Sequence, residues 1–225
     1  MQRTWRTAAA ALLLAATCAC TDEPVAAPDP EPSPPAPSVA ELQPGAPGED
    51  TTTRDPSEPL EEPDATHDDV AFMQMMVLHH RQALEMSALV PDRADDQRVR
   101  DVAARIAAAQ GPEILVMAQW LTERSIDVPA PGANPAEYDH AQHGHAGMVG
   151  MLTPDELDEL ADAEGAEFDR LYLEDMVRHH EGAVEMARFV LEHGADPRVN
   201  ELATGIVAEQ SAEIARLEQL LVNRP

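Results

Sequence analysis

Met76-Val77-Leu78-His79-His80-Arg81-Gln82-Ala83-Leu84-Glu85-Met86 returns 100 residues later as Met176-Val177-Arg178-His179-His180-Glu181-Gly182-Ala183-Val184-Glu185-Met186. The shared pattern is M-V-x-H-H-x-x-A-x-E-M. On a helix, at about 100° per residue, Phe72, Met76, His79, Ala83 and Met86 share one narrow stripe. That stripe is apolar except for the histidine in its middle, and His80 sits at its edge. Glu85 and Glu185 fall on the flank, where they are expected to be solvated.

The repeat extends well beyond the histidines. Residues 69–125 align with 169–225 without a gap, and 21 of the 57 positions are identical. Each unit reads as a helical hairpin, with helices over about 67–90 and 96–124, then 166–193 and 197–222. Val99, Val102, Ile106, Met117 and Trp120 keep helical spacing in the second helix. Pro91 and the aspartates after it are expected to end the first helix, and Gly111-Pro112 to kink or break the second. Thr66 and Asp69 form a capping-box pattern. Thr153, Pro154 and Glu156 start a further helix as N-cap, N1 and N3, and Gly165 interrupts it. Gly194 closes the third long helix as C′, and Asp196-Pro197 opens the fourth. Two hairpins with one apolar face each must bury those faces against each other. The fold class that follows is all-α: an antiparallel four-helix bundle with pseudo-twofold symmetry, over residues 66–225. The repeats take about 67–125 and 167–225, and a His/Met-rich connection takes 126–166.

Upstream, residues 1–20 have the form of a secretory signal: Arg3 and Arg6, an apolar run from Ala8 to Ala16, then small residues. Ala19-Cys20 resembles a lipobox, with Cys20 a better fit than Cys18. A lipid anchor at Cys20 would hold the chain on the outer side of a cell membrane; the alternative is a cleaved, secreted chain. Residues 21–65 hold twelve prolines between Pro24 and Pro63, and their composition predicts a disordered tether.

Composition narrows the chemistry. Forty-two acidic and 15 basic residues leave a formal charge of −27, which argues against nucleic acid as a partner. Both cysteines, Cys18 and Cys20, precede the folded part, so a disulfide framework, a thiolate metal site and a cysteine nucleophile are excluded there. No P-loop, Rossmann, G-x-S-x-G or zincin motif is present, and nothing specifies a hydrolase or transferase.

The second helix of each hairpin directs Gln110 and Glu113, or Gln210 and Glu213, at the same core as the histidines. Burying a carboxylate is costly unless it is paired or coordinated. Two readings follow. In one, His, Glu and Gln form a structural polar network. In the other they belong to a metal site. One carboxylate per hairpin is few for a di-iron centre, whereas His with thioether suits a softer ion, copper above all. Met76, Met86, Met176 and Met186 are either packing or ligands. His140, His143, His145, Met148 and Met151 lie within twelve residues of the connection, a clustering that fits metal capture or a solvated linker. His67 and His193 are isolated and expected at the surface.

The duplicated M-V-x-H-H-x-x-A-x-x-M, the Q-x-x-E-I pairs and Gly150-Met151-Leu152-Thr153 resemble the bacterial domain-of-unknown-function (DUF) 305 family, of the ferritin-like group, over residues 67–222. The resemblance implies a secreted or periplasmic four-helix bundle, and some relatives are associated with copper binding and with copper or silver tolerance. Carried over, it makes His79, His80, His179 and His180, with Met76, Met86, Met176 and Met186, candidate ligands. Three functions stay open: copper sequestration or delivery, a ferritin-like redox enzyme using copper or another transition metal, and a metal-free bundle that binds a partner.

Overall fold

The computed structural model describes residues 41–43, 52–54, 64–138 and 148–223. The signal segment, Cys18, Cys20, His140, His143 and His145 lie outside the described residues. Within the stretch expected to be a tether, β1 (Glu41–Gln43) pairs antiparallel with β2 (Thr52–Arg54), Leu42 opposite Thr53.

Five α-helices follow among the described residues: α1 (His67–Arg93), α2 (Gln97–Glu123), α3 (Pro154–Asp162), α4 (Gly165–His193) and α5 (Pro197–Val222). The four long ones form the expected bundle. α1 packs on α2 and α4 on α5, α1 and α4 join the hairpins, and α2 and α5 touch sparsely. α3 is short, bridges the hairpins and buries Leu160. No helix among the described residues is long and apolar enough to cross a membrane.

The start signals act as expected. The Thr66 hydroxyl accepts from the Asp69 amide at 3.1 Å while Asp69 accepts from the Thr66 amide at 2.8 Å, a full capping box. Thr153 and Glu156 repeat it on α3. The Thr153 amide and the Arg178 guanidinium bring the Glu156 carboxyl down to about 2. Asp96 and Asp196 cap α2 and α5.

Three stop signals act differently from expectation. Pro91 lies inside the last turn of α1, which continues to Arg93. Pro112 lies inside α2, which is unbroken. Both prolines are exposed, so each ring sits on an outward face of its helix. Gly194 is not a left-handed C′: its φ is −78° and its ψ 161°. It is a glycine because a Cβ there would come within 2.3 Å of Asp69 Oδ1.

The core consists of two apolar clusters at opposite ends of the bundle. One takes Phe72, Met76, Val77, Met117, Trp120, Met186, Val190 and Ile206. The other takes Met86, Val90, Val102, Ile106, Phe168, Tyr172, Met176 and Leu217. Early α1 therefore meets late α4, as antiparallel packing requires, and a Ser87–Tyr172 hydroxyl contact at 3.0 Å marks the opposite end. On each helix the break between clusters falls at His79-His80, Gln110, His179-His180 or Gln210. A polar layer thus crosses the middle of an otherwise apolar core.

Two aspartates lock the hairpins together. Asp69, on α1, accepts from the amides of Ala195 and Asp196 at 3.1 and 3.2 Å. Its repeat partner Asp169, on α4, accepts from Asp95 and Asp96 at 3.2 and 2.9 Å. Each hairpin thus clamps the turn of the other.

Candidate metal centre

All four histidines of the repeated motif are fully buried, His80 and His180 included, although the helical wheel placed them at the stripe's edge. α1 and α4 cross at this level, and the His79 and His179 ring centroids are 3.8 Å apart at 41°. The His180 ring is 6.3 Å from that of His179.

Hydrogen bonds decide which nitrogens carry protons. His80 Nε2 lies 2.6 Å from Glu113 Oε2, and His180 Nε2 lies 2.8 Å from Glu213 Oε2. His79 Nε2 lies 3.0 Å from the carbonyl oxygen of Val149. A carbonyl or carboxylate only accepts, so in each case Nε2–H donates. Nδ1 of none of the three has a hydrogen-bond partner among the described residues, nor has either nitrogen of His179. Burial, then the neighbouring His80, push His79 down to about 3. Burial, then the His79 ring, push His179 well below the ordinary imidazole range. These rings are neutral at pH 7.

Gln110 and Gln210 share the layer's level, and both amide atoms of each are buried without a partner among the described residues. They do not complete the His–Glu pairs as the polar-network reading expected. Glu113 and Glu213 are half-buried and engaged on histidine. Met76 and Met186 lie in one apolar cluster, Met86 and Met176 in the other, so the thioethers flank the layer on both sides. Met148 packs on the first cluster and Met151 is half-buried. Glu85, Glu185, His67 and His193 are exposed, as expected.

Donor chemistry fits a soft ion: neutral imidazoles, unpartnered lone pairs, and an oxygen acceptor fixing the far nitrogen, as in oriented metal-binding histidines. Among the described residues, however, no three His, Cys, Asp or Glu side chains converge as a preformed cage. A coordinating set would combine imidazole with thioether or need the tilted His79 and His179 rings to turn.

Sequence reasoning named Met148 and Met151 of the connection as candidate ligands but missed that its backbone forms a third element of the site. Residues 148–152 lie across it: Val149 supplies the carbonyl to His79, and Gln82 bonds both the amide (2.7 Å) and the carbonyl (2.9 Å) of Leu152. The available signal was a break in the repeat, Gln82 against Gly182.

This architecture is shared. A family model described as "Domain of unknown function (DUF305)" matches residues 69–221, and the chain belongs to that family. The DUF305 protein of Streptomyces coelicolor is 34% identical, with a TM-score of 0.61 over 69% of this chain and 92% of that one. A DUF305 fragment from Deinococcus radiodurans is 33% identical, TM-score 0.62, over 72% and 100%. CopM in its Cu(I)-bound form is 28% identical, TM-score 0.55, over 69% and 96%; CopM is also known in Cu(II)-bound and Ag-bound forms. Uncharacterized protein L153 of Acanthamoeba polyphaga mimivirus is 36% identical over 56 residues, 25% of this chain. The matched stretch spans only 37% of that curated relative.

Proposed function

We propose that this chain is an extracytoplasmic metal-binding protein that takes a soft transition-metal ion, copper before others, into its buried histidine layer. One observation carries the reading. Five imidazole nitrogens and four glutamine amide atoms at one level of the core have no partner among the described residues. At about 1–3 kcal/mol for each buried polar group left unpaired, nine of them rival the whole net stability of a domain, about 5–15 kcal/mol. A core that keeps them has a use for them.

His79, His80, His179 and His180 would supply nitrogen, and Met76, Met86, Met176 and Met186 the nearby thioethers. Glu113 and Glu213 would orient His80 and His180 and offset the ion's charge from one atom further out. Because burial keeps the His79 and His179 rings neutral at pH 7, an ion need not displace a proton from either. The copper- and silver-bound forms of CopM support the choice of ion. Sequestration or delivery is the role proposed. The signal-like N-terminus favours an extracytoplasmic place, with Cys20 as a lipid anchor on the 21–65 tether.

The metal-free network has one observation in its favour, the paired His–Glu contacts, which a structural role would also produce. A ferritin-like redox enzyme has less behind it, since both carboxylates of the layer are engaged on histidine. Cu(I) titration against a competing chelator, with Zn(II) and Fe(II) alongside, separates these. Tight Cu(I) binding by the untagged chain, lost when the four histidines become alanine, is the expected result. Binding that survives those changes would move the site to the connection. No binding of any metal by the folded wild-type chain would sink the proposal in favour of the network.

A further inference from the structure

The repeat is most visibly broken where the connection crosses it. At Gln82 the long side chain forms a two-point grip on the Leu152 backbone. At Gly182, its equivalent, there is no side chain, and none would fit: a Cβ there would lie 2.0 Å from Val149 O and 2.9 Å from Gly150 Cα. Gly150 turns at φ +82°, and a Cβ on it would meet Arg178 O at 2.5 Å. The 148–152 strap is therefore gripped by α1 and admitted by α4. Only that seating brings a carbonyl to Nε2 of His79, and His179 receives no such bond from the described residues.

We propose that Gln82 and Gly182 are positioning residues: they seat the Val149 carbonyl on Nε2 of His79, so that His79 offers Nδ1 to an ion while His179 remains free to use either nitrogen. The ion's part of this rests on the metal-binding reading; the tautomer of His79 does not. The duplicated core then carries one pinned and one unpinned histidine on its pseudo-twofold axis. A pinned imidazole needs no tautomer exchange before it coordinates, whereas the unpinned ring is free to turn as an ion arrives.

The test uses the full chain labelled with ¹⁵N-histidine. Long-range proton–nitrogen correlations of the metal-free protein should show His79 as the Nε2–H tautomer and His179 as a mixture. Gln82→Ala should turn the His79 pattern into a mixture like that of His179. Gly182→Ala should do the same by displacing the strap; should it fail to fold, Gln82→Ala carries the comparison. A His79 pattern unchanged in a folded Gln82→Ala variant would overturn the positioning role. Silver(I), whose nuclear spin couples to bonded nitrogen, should then couple to Nδ1 of His79 in the wild type, and Gln82→Ala should weaken its binding about tenfold. Coupling to Nε2 of His79 would overturn the assignment. Absence of any silver uptake would overturn the coordination half alone, and with it the metal reading, while the metal-free tautomers still decide what the strap does.

Discussion

The two hairpins carry the same histidines in the same register, yet their inner helices live in different surroundings. From Ala71 to His80 every residue of α1 is buried, whereas α4 exposes Glu174 and Arg178 over the equivalent turns. The cause is the connection. Its backbone takes Gln74 at Asp127 O (2.8 Å), Arg81 at Pro129 O and Gln82 at Leu152, so α1 is roofed over while α4 keeps a wet face. Duplication builds a symmetric core, but a single chain has only one crossover and must lay it on one side. The asymmetry of the histidine layer follows from that topological fact.

The comparison can be broken most sharply at the clamps. Asp69 is fully buried and accepts from Thr66 twice and from Ala195 and Asp196, whereas Asp169 accepts from Asp95 and Asp96. Asp69→Ala should cost about 3–5 kcal/mol and Asp169→Ala about 2–3 kcal/mol, read by urea denaturation. Equal losses would show that the capping box adds nothing to the clamp.

The neutral histidines make the next difference. His79 titrates near 6.5 when unfolded and near 3 when folded, so below pH 6.5 the unfolded chain binds more protons. The stability present above pH 6.5 should fall as pH drops toward 3, by about 2 kcal/mol at pH 5 for this one ring. His179 acts in the same direction. Metal-free His79→Gln should have a visibly shallower pH dependence; an unchanged slope would mean that the ring does not titrate on unfolding.

A smaller contrast lies at the equivalent caps. Asp196 is buried, accepting from Trp120 Nε1 at 3.2 Å and from Arg124 at 2.5 Å. Asp96 meets Arg98 near the surface. Asp196→Asn should therefore cost about 1–2 kcal/mol more than Asp96→Asn in the same denaturation assay. At the bottom of the scale, Arg170→Ala removes contacts to Glu167 and Glu174 on the wet face of α4. It should change stability by no more than about 0.5 kcal/mol, and a larger loss would mean that this face is covered.

Legibility followed the range of the interaction. Helix starts were readable because Thr66–Asp69, Thr153–Glu156 and Asp196 act within one turn of their own chain. Helix ends were less so: Pro91 and Pro112 are tolerated on exposed faces, and Gly194 answers to Asp69, 125 positions away in sequence. The lack of charge from Phe72 to Leu78, against Glu174, Asp175 and Arg178 in the second copy, already carried the difference between a roofed and a wet helix.

The sequence by itself determined the hairpins, the bundle, the family and the level of the core at which four histidines meet, because periodicity and a 100-residue repeat are properties of one chain read in order. Only the tertiary structure decided that His80 and His180 are as buried as His79 and His179, that Glu113 and Glu213 hold Nε2, and that Val149 pins one histidine of the pair. Those outcomes depend on which backbone and side-chain atoms of distant segments come within about 3 Å, the range of a hydrogen bond, and no spacing along the chain encodes that.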